Sequence, residues 1–203
     1  HHPDFGYGDG LQLSIGVGGT GLGPDRQRAP DTPFVPRNSP TVLNTGFNGW
    51  TATERPDPSH APMFWDSRDK SLEAQALGPI RSGVEMRGDA YPEAEAVERV
   101  VARLAEVPEY VGLFATAFEA EPSEAVTAER LAQAIAAFER HLSKPSSAYD
   151  RWLAGDDDAL SERQRRGLNA LHGAGCVDCH GGPMFSDFSL RRLNVADHSA
   201  RPD

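Results

Sequence analysis

The chain has 203 residues, enough for one large domain or two small ones, and 38% hydrophobic content allows only a modest core. Thirty acidic against twenty basic residues give a formal charge of -10, and the basic residues form no run, which argues against a nucleic-acid groove or an anionic membrane surface. No stretch approaches the roughly 18 apolar residues of a membrane span, and the first ten residues, HHPDFGYGDG, have neither the basic nor the apolar region of a signal peptide.

Twenty glycines and sixteen prolines cut regular structure into short pieces, while two cysteines and 8% aromatic residues offer little to hold the loops between them. From His1 to about Met63 the sequence is almost all turn chemistry. Phe5, Tyr7, Leu11, Leu13, Ile15, Phe34, Val42, Leu43, Phe47 and Trp50 punctuate it at intervals suited to burial, so the region reads as wrapped on a rigid centre. A short helix is predicted through KSLEAQAL, capped by Ser67 or Asp69 and stopped by Gly78-Pro79. The segment PEAEAVERVVARLAEV starts with Pro92 in a first turn and places Ala96, Val100, Val101 and Leu104 on one face. Another short helix follows in VPEYVGLFATAF. The strongest helical pattern is TAERLAQAIAAFERHL, with Leu131, Ile135, Phe138 and Leu142 as its core stripe.

SSAYDRWLAGDDDALS reads as a turn, with Asp156, Asp157 and Asp158 solvated, and Ser161 with Gln164 forms a capping box for the helix SERQRRGLNALHG. Strand signals are short and no internal repeat is visible. The class is mainly α with long ordered Gly/Pro-rich loops, and a composition break near 140–160 divides the chain into units 1–145 and 146–203.

Both cysteines fall in Cys176-Val177-Asp178-Cys179-His180, the C-x-x-C-H pattern of covalent c-type haem attachment. Two thioethers fix one edge of the porphyrin and the adjacent histidine binds iron from below. A redox dithiol more often opens a helix after a strand, whereas this pair follows a helix and precedes His-Gly-Gly-Pro. A zinc site needs four ligands, and no second Cys or Cys/His pair stands at ligand spacing. Haem would also supply the rigid apolar centre that the loops lack. Met184 is too near His180 to cross to the ring's other face; Met63 and Met86, in other segments, and equally a methionine beyond Asp203, remain open as sixth ligands.

With this motif placed, the stretches PRNSPTVLN (36–44), FWDSRDKSLEAQALGPIRSGVEM (64–86), AFERHLSKPSSAYDRWLAGDDDALSERQRRGL and GCVDCHGGPMFSD (175–187) resemble, in order, the bacterial di-haem cytochrome c peroxidase and MauG family. The resemblance implies two cytochrome c-like helical domains around two c-type haems. Residues 1–145 would form the peroxidatic domain, incomplete at its start, and 146–203 the beginning of the electron-transfer domain. His1 would be the histidine of a first haem motif whose cysteines precede it; the alternatives are a tag remnant or an ordinary exposed histidine pair. Cys176, Cys179 and His180 would hold the electron-transfer haem.

Gln75 and Glu85 match the family's active-site pair, Trp65 a tryptophan between the haems, and Asn38 a calcium-associated asparagine. In their own sequence context Gln75, Glu85 and Trp65 are an exposed helix residue, a solvated loop carboxylate and a core anchor. The implied activity is reduction of hydrogen peroxide with electrons from a small redox protein, in the periplasm, with a homodimer as one assembly. A carboxylate at Glu85, flanked by Val84 and Met86, suits the general acid-base work of O–O cleavage if an apolar pocket raises its pKa. MauG-like oxidation of a tryptophan on a partner protein, and a mono-haem electron carrier, are the alternatives.

Overall fold

The computed structural model describes residues 1–55 and 57–194, so the end of the second expected unit, 195–203, lies outside the described residues. Six α-helices carry the architecture: α1 (Leu72–Arg81), α2 (Ala96–Ala105), α3 (Pro108–Ala117), α4 (Ala128–His141), α5 (Ala148–Leu153) and α6 (Glu162–Gly173). Among the described residues there is no strand, only isolated bridges at His2–Gly8, Thr20–Gln27 and Met63–Asp69. The mainly α class expected from the sequence is therefore the class observed.

Helix α1 departs from expectation at both ends. Its N-cap is Ser71, whose hydroxyl accepts from the Ala74 amide, and it runs through Gly78-Pro79 to Arg81. Proline in a helix removes the N–H that would bond four residues back. Here that carbonyl belongs to Gln75, and Ser82 closes the helix by donating to Gly78 O at 3.1 Å. Proline therefore loosens the last turn without ending it. Pro92 leads into a 3-10 turn at Glu93–Glu95, and α2 begins only at Ala96. The stretch read as a turn after Ser146 contains α5, closed by a capping box between Ser147 and Asp150. The Ser161–Gln164 box starts α6 as expected.

The buried face of α4 is rotated from the expected stripe. Leu131, Ala132, Ala136 and Glu139 are buried, whereas Phe138 is 55% exposed. The reason is the proximity of α1: alanine lets the two backbones approach, so the contact face follows the small residues and leaves the bulkiest one outside. Ala136 is fully buried and packs with Leu72, Met63 and Ala61. A second cluster of Ile80, Ala96, Val97, Phe114, Ala125 and Leu131 ties α1 and α4 to α2 and α3. At the edge of the α1–α4 contact, Arg140 grips Glu73 through two bonds of 2.6 and 3.0 Å.

The first sixty residues wrap this helical centre, though less deeply than their apolar punctuation suggested. Of the ten expected anchors only Val42 is buried; Phe5 and Leu43 are exposed and the rest lie between. The loops are held mainly by polar bonds instead. Enlarging Ala136 tests the central contact: Ala136→Leu should lower stability by about 1–3 kcal/mol through overpacking, read as a lower urea midpoint.

Candidate active site

Two loops, far apart in sequence, hold a histidine in the same way. His1 Nδ1 lies 2.8 Å from Tyr7 O, and His180 Nδ1 lies 3.1 Å from Phe185 O. A carbonyl oxygen can only accept, so Nδ1 carries a proton, and the neutral ring in this tautomer offers the Nε2 lone pair, the arrangement of a metal-ligating imidazole. The likeness continues. Tyr7 and Phe185 both have positive φ, 56° and 50°, and a second positive-φ residue follows three positions later, Gly10 and Phe188. Asp9 accepts from the Leu11 amide at 3.0 Å, and Asp187 from the Ser189 amide at 2.9 Å. No repeat is visible in the sequence because the shared elements, a Pro-x-Phe and an aromatic-x-Asp, stand at unequal distances from the histidine.

The cysteines sit on a 3-10 turn, Cys176–Asp178, entered through Gly175 in the left-handed region. Both are free, and the His180 amide donates to Cys176 O at 2.8 Å, which brings the histidine back under the turn. Tyr149, Leu160, Leu168, Leu171 and Phe185 line an apolar groove of about 260 Å³ beside the residue that orients His180. Two thiols, an oriented imidazole and an adjoining apolar groove suit covalently bound haem.

The N-terminal histidine opens on a larger space. Two adjoining cavities of about 510 and 540 Å³ share His1, Ser39, Gln75, Pro79, Glu85 and Glu139, a size that accommodates a cofactor. The structure thus brings three expected site residues, His1, Gln75 and Glu85, to the lining of both cavities. Trp65 joins them in the first cavity, as do Met63 and Met184. Cys176, Cys179 and His180 belong to the separate second loop. The side-chain Oε1 of Gln75 is buried without a hydrogen-bond partner, an acceptor left for a ligand to satisfy.

The position of Glu85 has a cause that its neighbours in sequence did not disclose. Met86 is 63% exposed, so the expected apolar flank does not bury it. Gly16 does: a Cβ there would stand 2.1 Å from Val84 O and 2.7 Å from Glu85 Cα, so the glycine loop lies directly on the Glu85 backbone. Val17 donates to Val84 O at 3.3 Å, and Arg26 clamps the loop by donating to Ile15 O at 2.7 Å and Gly16 O at 2.9 Å. Burial raises the Glu85 carboxyl above its ordinary value against the opposing pull of Arg68.

Trp65 is 57% exposed, not a core anchor, and its indole donates to Asn38 O at 2.9 Å. The Asn38 side chain donates to Leu11 O, so it serves the loop framework and keeps only Oδ1 for a cation. Among the described residues no three His, Cys, Asp or Glu side chains converge as a metal cage.

Sequence reading missed Glu139. It stands on α4, is 7% exposed, and faces the cavities; burial raises its carboxyl above the ordinary value, while Thr45 and Arg140 oppose the rise. The available signal was a glutamate eight residues after Leu131, on the face shared with Ala132, Ile135 and Ala136.

The family profile described as di-haem cytochrome c peroxidase matches residues 1–158. The chain is 38% identical over 160 residues to a cytochrome c551 peroxidase of Nitrosomonas europaea, covering 79% of this chain and 41% of that protein. It is 34% identical over 196 residues to the methylamine utilization protein MauG of Methylorubrum extorquens, covering 96% and 46%. The crystal structure of a MauG-like protein associated with microbial copper homeostasis superposes with a TM-score of 0.59 at 27% identity, covering 91% of this chain and 46% of that one. The chain spans less than half the length of these relatives.

Two tests follow from the geometry. Gly16→Ala must push the loop off Val84 and Glu85, and should cost about 1–3 kcal/mol in a urea melt as overpacking does. Glu85, with its folded pKa raised, binds its proton more tightly folded than unfolded. Its stabilising contribution is therefore present below the ordinary value of 4.5 and lost as pH rises through the elevated one. Glu85→Gln should remove that loss, flattening the fall in urea midpoint across this pH range relative to the parent protein.

Proposed function

This chain belongs to the di-haem cytochrome c peroxidase family, and on that premise we propose that it contributes to a periplasmic enzyme that reduces hydrogen peroxide with electrons from a small redox protein. The observation that carries the proposal is that His1, Gln75 and Glu85 line the same two cavities: an imidazole oriented by Tyr7, an unpaired amide oxygen and a carboxyl with raised proton affinity. The matched loops at His1 and His180 support one peroxidatic unit over 1–145 and one electron-transfer unit beginning at 146.

His1 would hold haem iron through Nε2 in the first unit; in the second, Cys176 and Cys179 would hold the porphyrin edge and His180 the iron. Haem, when bound, supplies the electrons that break the O–O bond. The protein's own residues manage the protons. Glu85 takes the proton from one peroxide oxygen and returns it to the other as that oxygen leaves, work that requires a pKa near the operating pH. Gln75 Oε1 accepts from the peroxide O–H and orients it toward Glu85. Trp65, on the cavity rim, gives an oxidisable ring between the two units. Calcium at Asn38 would have to be bound through Oδ1. No helix among the described residues is long and apolar enough to cross a membrane.

Covalent attachment is checked by acid-acetone extraction of the haem-loaded protein: colour should stay with the polypeptide, and its transfer to the acetone would reject attachment at Cys176 and Cys179. In the loaded enzyme, Glu85→Ala should keep the haem spectrum and reduce peroxide turnover about 10²-fold or more. Near-normal turnover would remove Glu85 from the acid-base role.

A further inference from the structure

We propose that Glu139 is a second proton-holding group of the peroxide cavity, its proton held against the Thr45 hydroxyl. The inference rests on the peroxidase reading above and adds the origin of a proton that Glu85 cannot supply. Converting one peroxide to two waters breaks the O–O bond, forms two O–H bonds, and consumes two electrons and two protons. Glu85 moves a proton already on the peroxide from one oxygen to the other. The protons consumed must enter from outside.

Hydrogen counting around Thr45 bears on the state of Glu139. Thr45 Oγ1 lies 3.0 Å from Val42 O and 3.3 Å from Glu139 Oε2. The hydroxyl owns one hydrogen, and Val42 O, a carbonyl, can only accept. When that hydrogen goes to the nearer carbonyl, the contact with Glu139 is a hydrogen bond only if Glu139 carries a proton and donates it to Oγ1. A neutral Glu139 thus satisfies both contacts, whereas an ionised one leaves the carboxylate or the carbonyl unserved, a cost in a buried site.

Burial favours the same state and outweighs the opposing charge of Arg140. Arg140, the neighbouring cation on α4, is engaged by Glu73 of α1 through two bonds and turned toward the α1–α4 edge. Gln75, also on α1, brings an unpaired oxygen and no charge. From the loops, Glu85, His1, His2, Asp9 and Arg26 line the same space; the Arg26 guanidinium is committed to Ile15, Gly16 and Gly21 carbonyls. Among the described residues no cation is therefore held against Glu139 in the way Arg140 is held against Glu73. Thr45 is half-buried on the 3-10 turn Thr45–Phe47 and lines the first cavity together with Glu139.

The test uses the full-length, haem-loaded protein, with infrared spectra and pH profiles of peroxide turnover for the parent, Glu139→Gln and Thr45→Val. The parent should show a protonated-carboxyl band at neutral pH that shifts in deuterium oxide and is absent from Glu139→Gln. Glu139→Gln should lower turnover roughly 10- to 100-fold and lose one ionisation from the pH profile, with the haem spectrum unchanged. Thr45→Val, which removes the hydroxyl that holds the proton, should shift that band and move the Glu139 ionisation in the pH profile of turnover, and it carries the test if Glu139→Gln does not fold. An unchanged band, or turnover and profile untouched in both variants, overturns the proposal alone. Absence of peroxide turnover in the parent overturns the peroxidase reading and this proposal together.

Discussion

The close approach of α1 and α4 is the constraint on which the site depends. It is set by small side chains, Ala76 on one helix and Ala132 and Ala136 on the other, with Leu72 and Met63 filling the remaining space. At that spacing Gln75 and Glu139 reach one cavity from two helices, and the Glu73–Arg140 clasp fixes their relative rotation. The clasp is about one-third exposed, so its contribution to stability is modest; its two-pronged geometry matters more for register than for energy.

Around this pair much of the chain is loop. Loops of this length persist only if their backbone groups find partners, and here side chains supply many of them. Arg26 serves three carbonyls of the glycine loop, Asn48 donates to Pro62 O, Asn38 to Leu11 O, and Trp65 to Asn38 O. Glycine is required where the loop meets the site. At Gly16 the two backbones leave no room for a Cβ, and at Gly23 a Cβ would strike the Phe5 ring at 2.2 Å. The same contacts that order the loops also wall the cavity, so loop order and site shape are one property.

This explains which parts of the molecule were legible in the sequence. The capping box at Ser161, the face of α2 and the C-x-x-C-H turn are local patterns, written within a few residues, and they stand where the sequence placed them. Gln75, Glu85 and Trp65 were found through resemblance, since nothing in their own neighbourhood marks them. The length of α1, the rotation of α4 and the burial of Glu139 depend on which helix packs against which. Periodicity weights Phe138 by its size, whereas the observed contact selects alanine, and Phe138 remains outside. The paired histidine loops were invisible for a different reason: backbone conformation repeats there while the few shared residues stand at unequal distances from the histidine.

The carboxylates complete the picture by opposing one another. Glu85 and Glu139 both have raised pKa values, chiefly through burial, so each favours the folded state at low pH and ceases to as pH rises through its elevated value. Glu73 has a lowered pKa, first through its hydrogen bond to Arg140, so its contribution is present above the ordinary carboxylate range and lost as pH falls through the lowered value. The two dependences run in opposite directions across the same α1–α4 contact. A protein built this way tolerates two proton-loving acids in one cavity because a third acid, bonded to arginine at the edge, holds the helices together most firmly at the pH where the buried pair contributes least.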